Sequence, residues 1–162
     1  MQTFLPFADF AMSAAVLDTK RLNKQLSENK QIMRALMENR GWVNHPATLM
    51  WRKYEWALCQ YHEAMYREWT YGRGFKSHTQ TYDDLFDIYE RNKTWTESKV
   101  WPYWLGDYTF HDSHKSTLLR KDPEHYSQYF AGYDPTVEIK YPVPENEYKR
   151  LLRVIWMPRD QF

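Results

Sequence analysis

A long amphipathic stretch near the N-terminus constrains the fold of this 162-residue chain more than any other feature. At about 100° per residue, four apolar side chains fall on one side of a helix, at spacings that suit a buried stripe. These side chains are Leu22, Leu26, Met33 and Met37. We therefore predict a helix from about Ala11 to Glu38, with Gly41 as a left-handed cap beyond it. Such a stripe needs other helices to cover it.

The polar side of the same helix carries a second pattern. Spacings of three, four and three residues place four side chains on one face, namely Arg21, Lys24, Glu28 and Gln31. One interpretation is a solvated face on which Arg21 or Lys24 pairs with Glu28, worth a few tenths of a kcal/mol. The other is a single carboxylate held among cations beside an anionic ligand. Spacing alone favours the first interpretation and leaves the second open.

The net charge of +1 conceals an uneven distribution. Between residues 20 and 53 there are eight Lys or Arg residues and two Glu residues, a net charge of +6. Between residues 83 and 90 the charged residues are all carboxylates. A chain with this asymmetry can bind a polyanion on its basic side, with an affinity that falls as salt rises.

The rest of the chain also favours helices. We predict a second helix from about Asn44, with Pro46 in its first turn, to Tyr71, a third from Thr79 to Arg91, and a short one from Ser113 to Lys121. Residues 101–106 are typical of a turn-rich packed loop. The prolines at positions 135, 142, 144 and 158 favour an extended C-terminal segment, in which residues 147–156 form a short helix or a strand.

These patterns together predict an all-α fold. We expect one compact domain over residues 1–162, with about three main helices, long turn-rich connections and an extended C-terminal segment. The length is sufficient for a hydrophobic core without a metal or disulfide.

Composition excludes several classes of protein. With 5 glycines and no glycine-rich loop, the chain lacks the usual phosphate cradle of nucleotide-binding folds. Cys59 is the single cysteine, so no internal disulfide is possible, and we interpret it as a small core residue. There is no signal-peptide pattern and no apolar run near the ~20 residues of a membrane helix. We expect a soluble cytoplasmic protein with no membrane partner.

A polar cluster surrounds the start of the short predicted helix. His111, His114, Lys115 and Arg120 could bind a phosphate there, although an ordinary polar helix start explains them nearly as well. A metal site using Asp112 with the two histidines is less favoured, because no further matching ligands occur elsewhere. We predict no metal and no cofactor.

An aromatic row follows at residues 125–133. Such rows usually lie in the core. Tyr126 and Tyr129 could instead stack on bases, because aromatic rings between basic segments can serve as platforms for nucleic acid.

Three segments in this order resemble the pyrimidine-dimer DNA glycosylases of the phage endonuclease V type. They are residues 21–28 in the first helix, residues 51–75 in the second, and the aromatic run 118–133. The resemblance implies an all-helical enzyme whose first helix lies on double-stranded DNA. Such an enzyme cuts the glycosidic bond of a damaged or modified pyrimidine and then nicks the abasic strand.

The resemblance also implies roles for individual residues. In that family the N-terminal α-amine attacks C1′ to form an imine, and a first-helix glutamate stabilises the sugar cation and assists proton removal. Here the glutamate is Glu28, and the amine is that of Met1, which we expect to be retained because Gln2 is large. Lys30 joins the first-helix residues Arg21, Lys24 and Gln31 as a predicted DNA contact.

Three functions therefore remain open. The first is a monomeric DNA glycosylase, with or without abasic-site lyase activity. The second is a non-catalytic DNA-binding module on the same scaffold. The third is an enzyme that modifies nucleotides or bases in the same pocket.

Overall fold

The computed structural model describes residues 1–94 and 99–142, and the regular secondary structure in these ranges is entirely helical. The elements are α1 (Phe10–Val16), α2 (Thr19–Glu38), α3 (Pro46–Leu49), α4 (Glu55–Arg67), a π-helical turn (Glu68–Gly72), α5 (Thr79–Asn92), α6 (Tyr108–Lys121) and α7 (Pro123–Phe130). The predicted all-α class is confirmed.

Helix α2 lies at the centre of the packing, against α4 and α5. Leu22, Leu26 and Met33 of the predicted stripe are fully buried, and Met37 packs at the edge of the same cluster. Burying each of the three contributes about 1.5–3 kcal/mol. The stripe was predicted correctly, and it fixes which side of α2 faces solvent.

The single helix predicted from Ala11 to Glu38 is wrong, because the chain breaks at Leu17 and Asp18. Leu17 is extended and fully buried, and the Asp18 carboxylate accepts a hydrogen bond from the N–H of Arg21 (3.2 Å) as the cap of α2. Arg73 binds the end of α1 from outside, donating to the carbonyl of Leu17 (2.5 Å). The Asp–Thr pair at 18–19 is the sequence signal for this break.

Helix α2 ends at Glu38 as predicted, but its cap and the start of the next helix differ from the prediction. The left-handed cap is Asn39, at φ 53° and ψ 44°, rather than Gly41. Asparagine tolerates this conformation because its short side chain bonds locally. The following helix begins at Pro46 rather than at about Asn44, and Pro46 lies in its first turn as predicted. Its cap is His45, whose Nδ1 accepts from the N–H of Ala47 (3.0 Å).

The predicted helix from Asn44 to Tyr71 is also wrong, because it is interrupted between α3 and α4. Lys53 in this interruption has a φ of 72°. Two indole N–H groups hold the preceding residues: Trp104 donates to the carbonyl of Met50 (3.0 Å), and Trp51 donates to Thr3 Oγ1 (3.0 Å). These long-range contacts outweigh local helix propensity.

The later helices are closer to the prediction. Helix α5 ends one residue beyond the predicted Arg91. Helix α6 begins at Tyr108 rather than Ser113, because Asp107 caps it by accepting from the N–H of Thr109 (2.9 Å). The loop before α6 is turn-rich and packed, as predicted, with Trp104 2% exposed.

Residues 131–142 contain no helix and lie against α6. Ile139 and Tyr141 are buried, and the N–H of Lys140 donates to Ser113 Oγ (3.0 Å). The predicted extended segment is confirmed for residues 138–142, whereas residues 131–137 form turns. The predictions for Pro144, Pro158 and residues 147–156 fall outside the described residues.

Candidate active site

The N-terminal segment is held in the core by side chains of α2 and α4. The N–H of Gln2 donates to Glu28 Oε2 (3.2 Å), and the N–H of Phe4 donates to Gln25 Oε1 (2.8 Å). The Tyr61 hydroxyl lies 2.7 Å from both the Phe4 carbonyl and Gln25 Oε1. The first residues of the chain are therefore fixed against the polar face of α2.

Two histidines of α6 hold the next residue, Leu5, from the other side. His114 Nδ1 accepts from the Leu5 N–H (3.0 Å), and its Nε2 lies 3.4 Å from the carbonyl of Lys140. His111 Nδ1 lies 2.7 Å from the Leu5 carbonyl, and its Nε2 accepts from the N–H of Gly106 (2.9 Å). Each ring therefore uses one nitrogen as a donor and the other as an acceptor, which is the neutral form.

Burial stabilises that neutral form. It lowers the pKa of His111, and it lowers the pKa of His114 to about 3. Both rings were predicted as phosphate ligands, and the structure instead commits their nitrogens to the backbone of the chain. We leave them out of the DNA interface, because a buried neutral ring offers no positive charge to a phosphate.

A pocket of about 310 Å³ opens where the N-terminal segment meets α2 and the end of α6. It is lined by Met1, Gln2, Phe4, Lys20, Arg21, Lys24, Gln25, Glu28 and Lys121. Its volume is at the lower end of the roughly 300–1,000 Å³ typical of ligand sites.

Charge in the pocket is strongly unequal. Four cationic side chains line it, from Lys20, Arg21, Lys24 and Lys121, against the single carboxylate of Glu28. Among the described residues Glu28 forms no ion pair, and Arg21 pairs with Asp18 instead (3.1 Å). The predicted pairing of Glu28 with Arg21 or Lys24 is therefore absent from the described residues. The surplus of positive charge suits an anionic ligand.

The amine of Met1 lies close to Glu28. Consecutive backbone nitrogens are at most about 3.7 Å apart, which puts the Met1 nitrogen within roughly 7 Å of Glu28 Oε2. The side chain of Met1 packs on the core, its sulfur 4.0 Å from Thr48 Oγ1. Burial, and then the positive charge of the amine, lower the pKa of His45 to about 4.

Other predicted DNA contacts lie away from the pocket. Lys30 points from α2 towards α5 and pairs with Asp84 (3.1 Å), whereas Gln31 is exposed beyond Glu28. Lys115 pairs with Asp112 (3.2 Å) and donates to the Tyr133 hydroxyl (3.0 Å). These two lysines already have partners within the chain.

The remaining predicted contacts lie near the C-terminal part. Arg120 donates to the carbonyls of Pro135 (2.5 Å) and Val137 (3.1 Å), which fastens the extended segment. Tyr126 is fully buried and accepts a hydrogen bond from the N–H of Asp18 (3.0 Å). Tyr129 is 45% exposed and stays available for stacking.

Sequence reasoning missed Lys20, Lys121, Gln25 and Tyr61. Lys20 was detectable, because spacings of four place it on the face of Lys24 and Glu28. Lys121 and Tyr61 had no local signal, since α6 and α4 bring them to the site from distant positions.

Neither a metal centre nor a membrane span is present in residues 1–94 and 99–142. No group of three or more His, Cys, Asp or Glu side chains in these ranges could hold a metal ion. No helix in them is long and apolar enough to cross a membrane.

Comparison with known proteins gives one match. A family model described as pyrimidine dimer DNA glycosylase matches residues 1–83, which is just over half of the chain. The matched range includes Met1, Gln25 and Glu28, and ends within α5, so α6 and α7 lie outside it. No curated protein and no solved structure matched the chain.

Proposed function

The chain belongs to the pyrimidine dimer DNA glycosylase family, and from that premise we propose that it excises a damaged or modified pyrimidine from double-stranded DNA in the pocket beside Glu28. The observation that carries the proposal is the hydrogen bond from the Gln2 N–H to Glu28 Oε2. It brings the chain's first amine and the carboxylate into one cationic pocket. Damaged bases cost least to extrude from the duplex, which favours them as occupants.

The amine of Met1 is the nucleophile of this proposal. Chain-terminal amines ordinarily titrate near pH 8 and lysines near 10.4, so an α-amine has the larger uncharged fraction at neutral pH. The amine attacks C1′, the bond from C1′ to the base breaks, and the base leaves with the electron pair and takes a proton from water. Opening of the sugar ring then leaves an imine between the amine and C1′.

Glu28 has two roles in this sequence. Its negative charge opposes the positive charge that develops on the sugar as the base departs. In the lyase step it removes a proton from C2′, and the electron pair expels the 3′ phosphate. The cations around it bind the flanking phosphates, with Lys20 and Lys24 exposed on the same face of α2.

The test is borohydride trapping on ultraviolet-irradiated and abasic duplexes, with an undamaged duplex as control. We expect a covalent complex with both damaged duplexes and none with the control. Peptide mapping should place the adduct on the Met1 amine. Lys20, Lys24 and Lys121 are the competing amines of the pocket, and mapping distinguishes each of them.

Two outcomes would contradict the proposal. Binding of damaged duplex without base release or trapping would identify a non-catalytic module on this scaffold. An adduct on one of the three lysines would retain the glycosylase and remove Met1 from its mechanism.

A further inference from the structure

The side chain of Met1 makes a contact that the steps above do not use. Thr48 of α3 donates a hydrogen bond from its hydroxyl to the Met1 sulfur (4.0 Å). Thr48 is fully buried, and this is the only hydrogen bond of its hydroxyl within the described residues. Because the N–H of Gln2 donates to Glu28 (3.2 Å), the start of the chain is held from α2 and from α3 at once.

Helix α3 is a fixed support for this contact. All four of its residues are buried, and the His45 ring caps it by accepting from the N–H of Ala47 (3.0 Å). The Trp104 indole donates to the carbonyl of Met50, directly after the helix (3.0 Å). These bonds involve only residues of the chain itself. The position of Thr48 under Met1 is therefore set before any DNA binds.

One torsion angle decides where the amine points. The N–H of Gln2 is fixed on Glu28, and the peptide bond between residues 1 and 2 is planar. The amine and the side chain of Met1 are attached to the same Cα, so rotation about its Cα–C bond moves both together. Contact between the sulfur and Thr48 restrains that rotation, and it thereby restrains the amine.

We propose that the Met1 side chain, seated on Thr48, positions the amine for attack on C1′, an inference that rests on the proposed function. Thr48 is fully buried and acts only through Met1, which makes it a positioning residue. A nucleophile displaced by about 1 Å can lose about 100-fold in rate. The anchor therefore affects formation of the imine and not DNA affinity, because the proposed phosphate contacts are the exposed Lys20 and Lys24.

The experiment is a double-mutant cycle on Met1→Ala and Thr48→Val. Each protein, wild type included, is released from a cleavable N-terminal fusion, so that all of them carry a free α-amine on residue 1. Thr48→Val keeps the shape of the side chain and removes its hydroxyl. Borohydride trapping on abasic duplex is measured in single turnover at saturating enzyme, together with the Kd for the same duplex.

Thr117→Val is the matched control. Thr117 is equally buried, and its hydroxyl donates to the carbonyl of Ser113 (2.8 Å) within α6. The control removes a buried threonine hydroxyl without touching Met1 or α3, so it should trap at the wild-type rate. It reports any loss that comes from destabilising the fold in general.

We expect Met1→Ala to slow trapping by about 100-fold and Thr48→Val by about 5-fold, with each Kd within about 2-fold of wild type. The double variant should be no slower than Met1→Ala alone, because both changes remove the same anchor. Met1→Ala tests the anchor by itself even where Thr48→Val does not fold.

A double variant about 500-fold slower than wild type would overturn the inference, because independent effects multiply and Thr48 would then act through the structure of α3. A wild-type trapping rate in either single variant would overturn it too, as would equal losses in Thr48→Val and Thr117→Val. If the wild-type protein trapped neither irradiated nor abasic duplex, the proposed function itself would fail. If its adduct mapped to a lysine, Met1 would have no part in the reaction.

Discussion

The two sides of α2 carry similar numbers of cations and use them differently. On the side that faces α5, Lys30 pairs with Asp84 (3.1 Å), and Glu38 lies between Arg34 (3.9 Å) and Arg91 (3.6 Å). On the pocket side, Lys20 and Lys24 have no carboxylate partner among the described residues. The lesson is that the net charge of a segment does not identify its DNA-binding face, because part of that charge is neutralised by the fold.

The acidic residues between positions 83 and 90 explain this difference between the two sides of α2. It lies on α5, packed against α2, and supplies Asp84 to the ion pair with Lys30. The charge asymmetry that suggested a polyanion partner is thus partly an internal pairing of two helices. Under the proposed function, Lys20 and Lys24 beside Glu28 are the cations of α2 that remain for DNA.

The largest expected effect separates the carboxylates of the two sides. Glu28→Gln keeps the side-chain shape and an acceptor for the Gln2 N–H, so folding should change little. Single-turnover base release should fall by about 100- to 1,000-fold, because the transition state loses its counter-charge. Glu38→Gln is the matched control on the α5 side and should keep wild-type activity.

Two results would contradict the expected difference between Glu28 and Glu38. Full activity in Glu28→Gln would mean that the family mechanism does not transfer to this carboxylate. Unfolding of that variant would make Glu28 a structural residue, as in the solvated-face interpretation of the helix.

The next effect concerns salt. Lys24→Ala should weaken binding to duplex DNA and reduce the slope of log affinity against log salt by about 0.9, as expected for one lost phosphate contact. Lys30→Ala should leave the slope unchanged, because Asp84 occupies that ammonium group. Titrations across several salt concentrations check both variants, and equal slopes in the two would remove the distinction between the faces.

Lowering the pH should lower the free energy of unfolding through His114, the buried histidine that holds Leu5 near the pocket. The pKa of His114 is about 3 in the folded protein and ordinarily about 6.5. A depressed histidine contributes stability that is fully present above pH 6.5 and is lost as the pH falls towards 3, at most about 1.4 kcal/mol per pH unit for each group.

The measurement is the free energy of unfolding between pH 7 and pH 4 for wild type and His114→Gln. The variant should be less stable at pH 7 and show a shallower decline, with His62 accounting for part of the remainder because its pKa is also about 3. An identical decline in both proteins would contradict the assignment of a neutral His114.

The smallest effect is on the stability of the α5 side. The Lys30–Asp84 pair is partly exposed, so breaking it with Asp84→Asn should lower the free energy of unfolding only slightly. The loss should shrink at high salt, since screening weakens such pairs. Denaturant unfolding at two salt concentrations checks it, and a large loss that does not depend on salt would mean that the pair holds α2 and α5 together.

Helix α2 shows how much of the structure could be predicted from local sequence patterns. Its apolar stripe and the position of Glu28 on the polar face follow from a period of 3.6 residues, which depends on nothing outside the helix. The break at Asp18 was equally local, and the capping preference of aspartate was the signal. In contrast, the residue types around His111 and His114 are typical of a phosphate site. Only the path of the N-terminal segment makes both side chains hydrogen-bond partners of the Leu5 backbone.

By itself, the sequence determined the helical class, the buried stripe of α2 and the family over residues 1–83, because periodicity, capping and motif order are written within short stretches. Only the tertiary structure decided which cations are available, since Lys30 meets Asp84 across 54 positions of sequence. It also decided that Met1, Gln25 and Glu28 share a pocket with Lys121. Contacts between distant segments depend on how helices pack, and no local pattern encodes that packing.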